Sequence, residues 1–217
     1  DSLDPAEHVR HGKLIAGAGR PPYPRRTMTW DELVRSLDTP NKTVWRETVH
    51  TLLTSLPASR DALLDGLLDE KPMVRAGCAA ALDHADQDDV VEAALRKAGG
   101  DGDARVRHMA LHALSCAPCK PDGCLVEDSV TLLVEAMLHD PSIRNRRRVA
   151  GELMWGQHGR TPQITAAFAR ILAEDSDQKL RHRAATYMAS NDLPREGRHY
   201  GEWIGEWSAR VEELEVL

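Results

Sequence analysis

The stretch Asp101-Gly-Asp-Ala-Arg-Val-Arg-His-Met-Ala-Leu-His-Ala-Leu114 sets an acidic turn before an apolar residue, an arginine and, one helical turn on, a small residue. The order recurs. Asp69-Glu-Lys-Pro-Met-Val-Arg-Ala-Gly-Cys78 is a second copy and Asp175-Ser-Asp-Gln-Lys-Leu-Arg-His-Arg-Ala184 a third. Weaker copies follow Asp38, with Trp45 and Arg46, and Asp140, with Arg147, Arg148 and Ala150. Aligned on Arg46, Arg75, Arg107, Arg147 and Arg181, the copies lie 29, 32, 40 and 34 residues apart. A period of roughly thirty to forty residues with two helices per unit is the signature of an α-solenoid.

The remaining residues agree with an all-α chain. Hydrophobic residues make up 41% of the 217, mainly Leu, Ala and Val, and aromatics only 4%. Leu and Ala rank highest in helix propensity, and this much apolar surface can fill a core. Apolar side chains recur at three and four, as in Leu63, Leu64, Leu67 and Leu68 or Ile164, Phe168, Ile171 and Leu172. Helices are predicted over 61–68, 72–82, 89–97, 104–115, 126–138, 142–155, 161–173, 178–189 and 198–215, with two more between Thr29 and Leu52. Thr29 and Glu32 have capping-box spacing and should start the first of these. A short helix is expected over 5–15, ended by the Gly- and Pro-rich segment before Arg25.

Each unit resembles a HEAT repeat: a first helix, an Asp-bearing turn, then a second helix opening with an apolar residue and Arg. The resemblance covers about 29–190 and implies about five helical hairpins. It divides the chain into an N-terminal arm (1–28), the array (29–190) with a Cys-rich loop at 115–125, and a C-terminal capping helix (191–217). Trp203, Ile204, Trp207, Val211 and Leu214 supply the apolar face of that cap. An Asp at the head of a helix can accept backbone N–H bonds, and an Arg farther along can reach an Asp of its own or a neighbouring unit. The resemblance implies such a ladder, built from Asp38, Asp69, Asp101, Asp140 and Asp175 with Arg46, Arg75, Arg107, Arg147 and Arg181. These arginines are then structural. Cys78, Ala110, Ala150 and Ala184 are the small residues that let helices approach, so Cys78 is expected in the core.

Charge is uneven. Residues 141–183 carry nine Lys/Arg against four Asp/Glu, while 57–104 carry five against eleven. HEAT-like solenoids place their second helices on the concave face, so Arg144, Arg146, Arg148 and Arg183 are candidates for a basic patch that binds a protein with an acidic surface. A solvated helix face is the plainer reading of the same charges.

The long interval comes from the loop Ser115-Cys-Ala-Pro-Cys-Lys-Pro-Asp-Gly-Cys124. Cys116-x2-Cys119 has the spacing of a metal knuckle, and Pro118, Pro121 and Gly123 can turn Cys124 back towards it. His112, one helical turn before Cys116, is the nearest further ligand, and His84 or His158 the alternatives. Zinc is the expected ion. Free or paired thiols and an iron–sulfur or redox site are the competing readings.

No nucleophile–base pair, phosphate loop or carboxylate pair stands out, so a non-enzymatic protein-binding scaffold is the leading expectation. The second is a HEAT-like DNA-binding protein or alkylpurine DNA glycosylase, which the formal charge of −6 opposes. No apolar run is long enough to span a membrane, the opening residues lack signal-peptide character, and few, clustered cysteines suit a reducing cytoplasm.

Overall fold

A computed structural model describes residues 28–86, 88–116, 119, 126–155, 158, 160–192 and 200–216, with side chains at all of these but 155 and 200–204. The described residues form helices and no strand: α1 (Trp30–Arg35), α2 (Lys42–Thr54), α3 (Arg60–Gly66), α4 (Pro72–Leu82), α5 (Asp89–Ala98), α6 (Ala104–Ser115), α7 (Ser129–His139), α8 (Ile143–Trp155), α9 (Pro162–Glu174), α10 (Gln178–Asp192) and α11 (Tyr200–Val216). The helix expected over 5–15, Cys124, and the side chains of Trp203 and Ile204 lie outside the described residues.

Consecutive helices pair into hairpins, and the hairpins stack as an α-solenoid. Second helices α2, α4 and α6 pack in series, α8 packs on α10, and α11 lies against α10 with Val211 and Leu214 buried. Three of the five first helices are capped by polar side chains that satisfy otherwise unpaired N–H groups. Thr29 and Glu32 form the expected capping box on α1, Asp88 caps α5 and Thr161 caps α9.

The second helices open on one recurring turn. In all five units a side chain accepts a hydrogen bond from the backbone N–H two residues on: Thr39 from Asn41 (3.2 Å), Asp69 from Lys71 (2.7 Å), Asp101 from Asp103 (2.7 Å), Asp140 from Ser142 (2.7 Å) and Asp175 from Asp177 (2.8 Å). Such a bond fixes a tight turn and aims the chain into the helix. Six residues after each of these stands a long side chain: Trp45, Arg75, Arg107, Arg146 and Arg181.

Three of these arginines tie their unit to the next. Arg75 grips Asp101 with two hydrogen bonds of 2.7 and 2.9 Å, and Arg107 grips Asp140 with two of 2.9 and 2.7 Å. Arg146 pairs with Asp175. Arg75, Arg107 and Arg181 also donate back to the carbonyls of Asp69, Asp101 and Asp175, at 2.8, 2.9 and 3.0 Å. In the first unit, Trp45 donates its indole N–H to the Met73 carbonyl at 3.2 Å.

Two rungs therefore differ from the sequence expectation. Asp38 and Arg46 are exposed, and neither side chain has a partner among the described residues; Thr39 and Trp45, one position away, fill those places. Arg147 pairs with Asp177 and not Asp175, because Arg146 holds the ladder position. A shift of one residue turns a side chain by about 100° around a helix, which is enough to change its partner.

The core has two main parts. One runs from Val34 to Val126 and the other from Leu133 to Tyr187. They meet at the third and fourth units, where α6 contacts α7 but barely touches α8. Asn145 bridges that junction by donating to the Ala104 carbonyl at 2.7 Å. A cleft of about 380 Å³ also opens there, lined by Leu111, Leu114, Leu132 and the Arg107–Asp140 pair. Cys78 is fully buried in the first part of the core, against Gly66 of α3.

Candidate metal centre

Three of the sequence-predicted ligands, His112, Cys116 and Cys119, converge where α4 and α6 end. His112 is on the last turn of α6, and Cys116 is its C-cap residue. The Cys116 N–H closes onto the His112 carbonyl at 2.9 Å and the Cys119 N–H onto the Cys116 carbonyl at 3.3 Å. This knuckle returns Cys119 to Cys116, with the sulfurs 3.1 Å apart. The Cys119 sulfur is 3.9 Å from His112 Nε2.

The fourth member comes from the neighbouring unit. Asp83, the C-cap residue of α4, is 4% exposed and places Oδ2 3.5 Å from His112 Nε2. One ligand atom from each of Asp83, His112, Cys116 and Cys119 lies within 4.8 Å of all the others. Around a tetrahedral zinc, ligand atoms are separated by about 3.3–3.8 Å, given Zn–S near 2.3 Å and Zn–N or Zn–O near 2.0–2.1 Å. The N–O and S–N separations match that scale, and an ion would spread the two sulfurs slightly. This group can hold a metal ion.

Electrostatics favour a cation here. Asp83 and Cys116, both anionic when deprotonated, are the C-cap residues of α4 and α6, where the macrodipole is negative. Burying a carboxylate beside two thiols is unfavourable without a compensating positive charge. Burial pulls the His112 imidazole down, but its hydrogen bond with Cys116 and the Asp83 charge outweigh that and raise it to about 9. The hydrogen bond from Cys119 holds the Cys116 thiol low, aided by His112, while that same bond and burial push Cys119 up. One thiolate beside an imidazolium is the resting charge pattern that a cation would replace.

The contacts on His112 also bear on chemistry. A nucleophile–base–carboxylate relay uses both imidazole nitrogens, one for each neighbour. Here Asp83 and Cys119 both approach Nε2. Convergence of these two on one nitrogen suits ligation of a cation there.

The other candidates fall elsewhere. His84 is exposed and stands 3.9 Å from Asp83 without joining the group. His158 is half-buried; burial lowers its pKa and the Cys116 charge partly offsets this, but it is not in the ligand set. Asp83 was missed because its turn carries no ligand motif. The signal that did exist was repeat register, which pointed at His84, one residue away.

The proposed basic patch splits in two. Arg146 pairs with Asp175 and donates to the Met137 carbonyl at 3.1 Å, and Arg183 donates to the Arg147 carbonyl at 2.5 Å. Arg144 is exposed and Arg148 half-buried, and neither guanidinium has a hydrogen bond or ion pair among the described residues.

No protein-family model matches this chain, and no curated protein sequence does. Among solved structures, the chain is similar to two engineered proteins determined by the Northeast Structural Genomics Consortium. They are 17% and 18% identical, with TM-scores of 0.42 and 0.41, covering 86% of this chain and 96% and 98% of theirs. A designed armadillo repeat protein is 15% identical with a TM-score of 0.43, covering 86% of this chain and all of its own. Among the described residues, no helix is long and apolar enough to cross a membrane.

Proposed function

We propose that this chain is a HEAT-type scaffold that holds an acidic protein partner on its second-helix face, stapled by one structural zinc ion. The array spans 29–190, and α11 covers its C-terminal end. One observation carries the zinc reading: Asp83 from the second unit and His112, Cys116 and Cys119 from the third bring four ligand atoms to one point. Two thiolates with an imidazole and a carboxylate suit zinc in preference to magnesium or calcium, which take oxygen ligands. Four protein ligands close a tetrahedral site and leave no position for a reacting water, which favours a structural role over a catalytic one. The ion would neutralise the buried Asp83 and the helix ends and join adjacent units. Thiolate ligation also fits a reducing compartment such as the cytoplasm.

The scaffold reading is supported by the stacked second helices and by the excess of nine basic over four acidic residues in 141–183. Duplex DNA is the weaker partner. The chain carries a net charge of −6, and Arg146 and Arg183 are already engaged within the fold. Elemental analysis of reduced protein, with binding to duplex DNA at low and high salt, tests both statements. One zinc per chain and no salt-dependent DNA binding are expected. Metal-free protein, or DNA affinity falling steeply with salt, would overturn them.

A further inference from the structure

Every arginine that forms the inter-unit ladder is hydrogen-bonded or ion-paired to a carboxylate, but among the described residues Arg144 and Arg148 are not. They stand one turn apart on the same flank of α8, where two like charges repel. Arg148 is half-buried, and burial together with Arg144 lowers its pKa, an effect that Glu152, one turn further on, opposes. Across the junction, α6 presents His108. Its Nδ1 is buried and has no hydrogen-bond partner among the described residues, although buried polar atoms are nearly always paired. Arg148, Arg144, His112 and Asp140 are the charged and titratable groups that act on His108. The second helices on either side are in close contact, α4 with α6 and α8 with α10, whereas α6 and α8 are tied mainly at their N-terminal ends by Asn145 and the Arg107–Asp140 pair.

We infer that Arg144, Arg148 and His108 form a seat between α6 and α8 for carboxylates of an acidic peptide segment. The chemistry is complementary at each point. Two guanidiniums at one-turn spacing can each take a carboxylate through paired N–H donors, as Arg107 does with Asp140 within the fold. The His108 imidazole, with Nδ1 unpaired among the described residues, adds a hydrogen-bonding group. Arg148 is half-buried and only partly compensated by Glu152, so an arriving carboxylate gains more from it than from a fully solvated charge. An acidic peptide segment is favoured over duplex nucleic acid because the chain as a whole is acidic, and long-range repulsion falls mainly on the more highly charged ligand. This inference rests on the scaffold reading and specifies where its partner is recognised.

The probe is a fluorescein-labelled peptide of ten glutamates, followed by anisotropy with the whole chain in the reduced state. Arg144→Ala and Arg148→Gln are each expected to weaken binding by about tenfold, the loss of one charge-assisted hydrogen-bonding group. Arg170→Ala removes the same charge from the first-helix side, where Arg170 pairs with Glu174, and should change affinity less than twofold. Thermal melts check that each variant folds, and the His108 ring resonances should move on addition of peptide to the native chain. Equal losses for Arg170→Ala and Arg148→Gln would reduce the attraction to bulk charge and overturn the seat. Displacement of the peptide by inorganic phosphate at lower concentration than by succinate would overturn the carboxylate assignment. A physiological partner that binds the Arg144→Ala/Arg148→Gln double variant unchanged would remove the seat and leave the scaffold standing. Peptide binding with the expected variant pattern, but no partner using this face, would uphold the seat and end the scaffold reading.

Discussion

Arg107 and Asp140 face each other across the third and fourth units through two parallel hydrogen bonds of 2.9 and 2.7 Å, with side chains only 13% and 8% exposed. The same guanidinium returns to the Asp101 carbonyl of its own turn at 2.9 Å, so one side chain fixes both the turn and the stacking. Removing it leaves a buried carboxylate without its cation. Arg107→Ala is expected to lower unfolding stability by roughly 2–4 kcal/mol in urea titration. Arg46→Ala, at an exposed side chain with no partner among the described residues, should leave the midpoint where it is.

Acid should unfold the array through these same carboxylates. Arg75 holds Asp101 below its ordinary value, and Arg147 does the same to Asp177. Burial alone would raise Asp140, but Arg107, Asn145 and the Ser142 N–H bring it down. Arg105 holds Asp103 at about 2. Folded values lie below unfolded ones, so their contribution is complete above about pH 4 and is lost as pH falls through the folded values. Urea midpoints should be insensitive to these groups from pH 7 to 5 and drop below 4, with a shallower drop in Asp140→Asn.

Close helix approach makes Gly66 hard to replace. A methyl group there would lie 2.4 Å from Cys78 Sγ and 2.7 Å from Val34 Cγ1, both fully or nearly buried. Gly66→Ala is expected to destabilise by about 1–3 kcal/mol through overpacking, despite its better helix propensity. Cys78→Ala in the same chain should recover part of the loss by removing the sulfur.

Metal dependence should follow residue, not residue type. Asp83→Asn and Cys116→Ser are expected to lose the ion, and with it the rise in melting temperature that zinc confers on the native chain. His84→Ala should keep both, although His84 adjoins Asp83. Melts with and without added zinc read the difference.

The solenoid was legible because its period is long-range and redundant: five turns and five second helices repeat one pattern, so no single residue decides it. The phase of the ladder was less so. In Arg146-Arg-Arg148 the three side chains are chemically alike, and only the six-residue distance from the Asp140 turn picks out Arg146. At the first unit Thr39 does through a hydroxyl what Asp does elsewhere, so a search for Asp lands on its neighbour Asp38. Cys116, Cys119 and His112 could be grouped because they lie within one turn or loop. Asp83 could not, since its place in the group depends on how α4 stacks on α6, and that is a property of packing.

X-ray absorption at the zinc edge on reduced protein tests the cross-unit staple most directly. One zinc per chain with two sulfur and two nitrogen or oxygen neighbours is expected, with loss of a light-atom neighbour or of the ion in Asp83→Asn. Three or more sulfurs, a ligand shell unchanged by Asp83→Asn, or protein that takes up no zinc would contradict it.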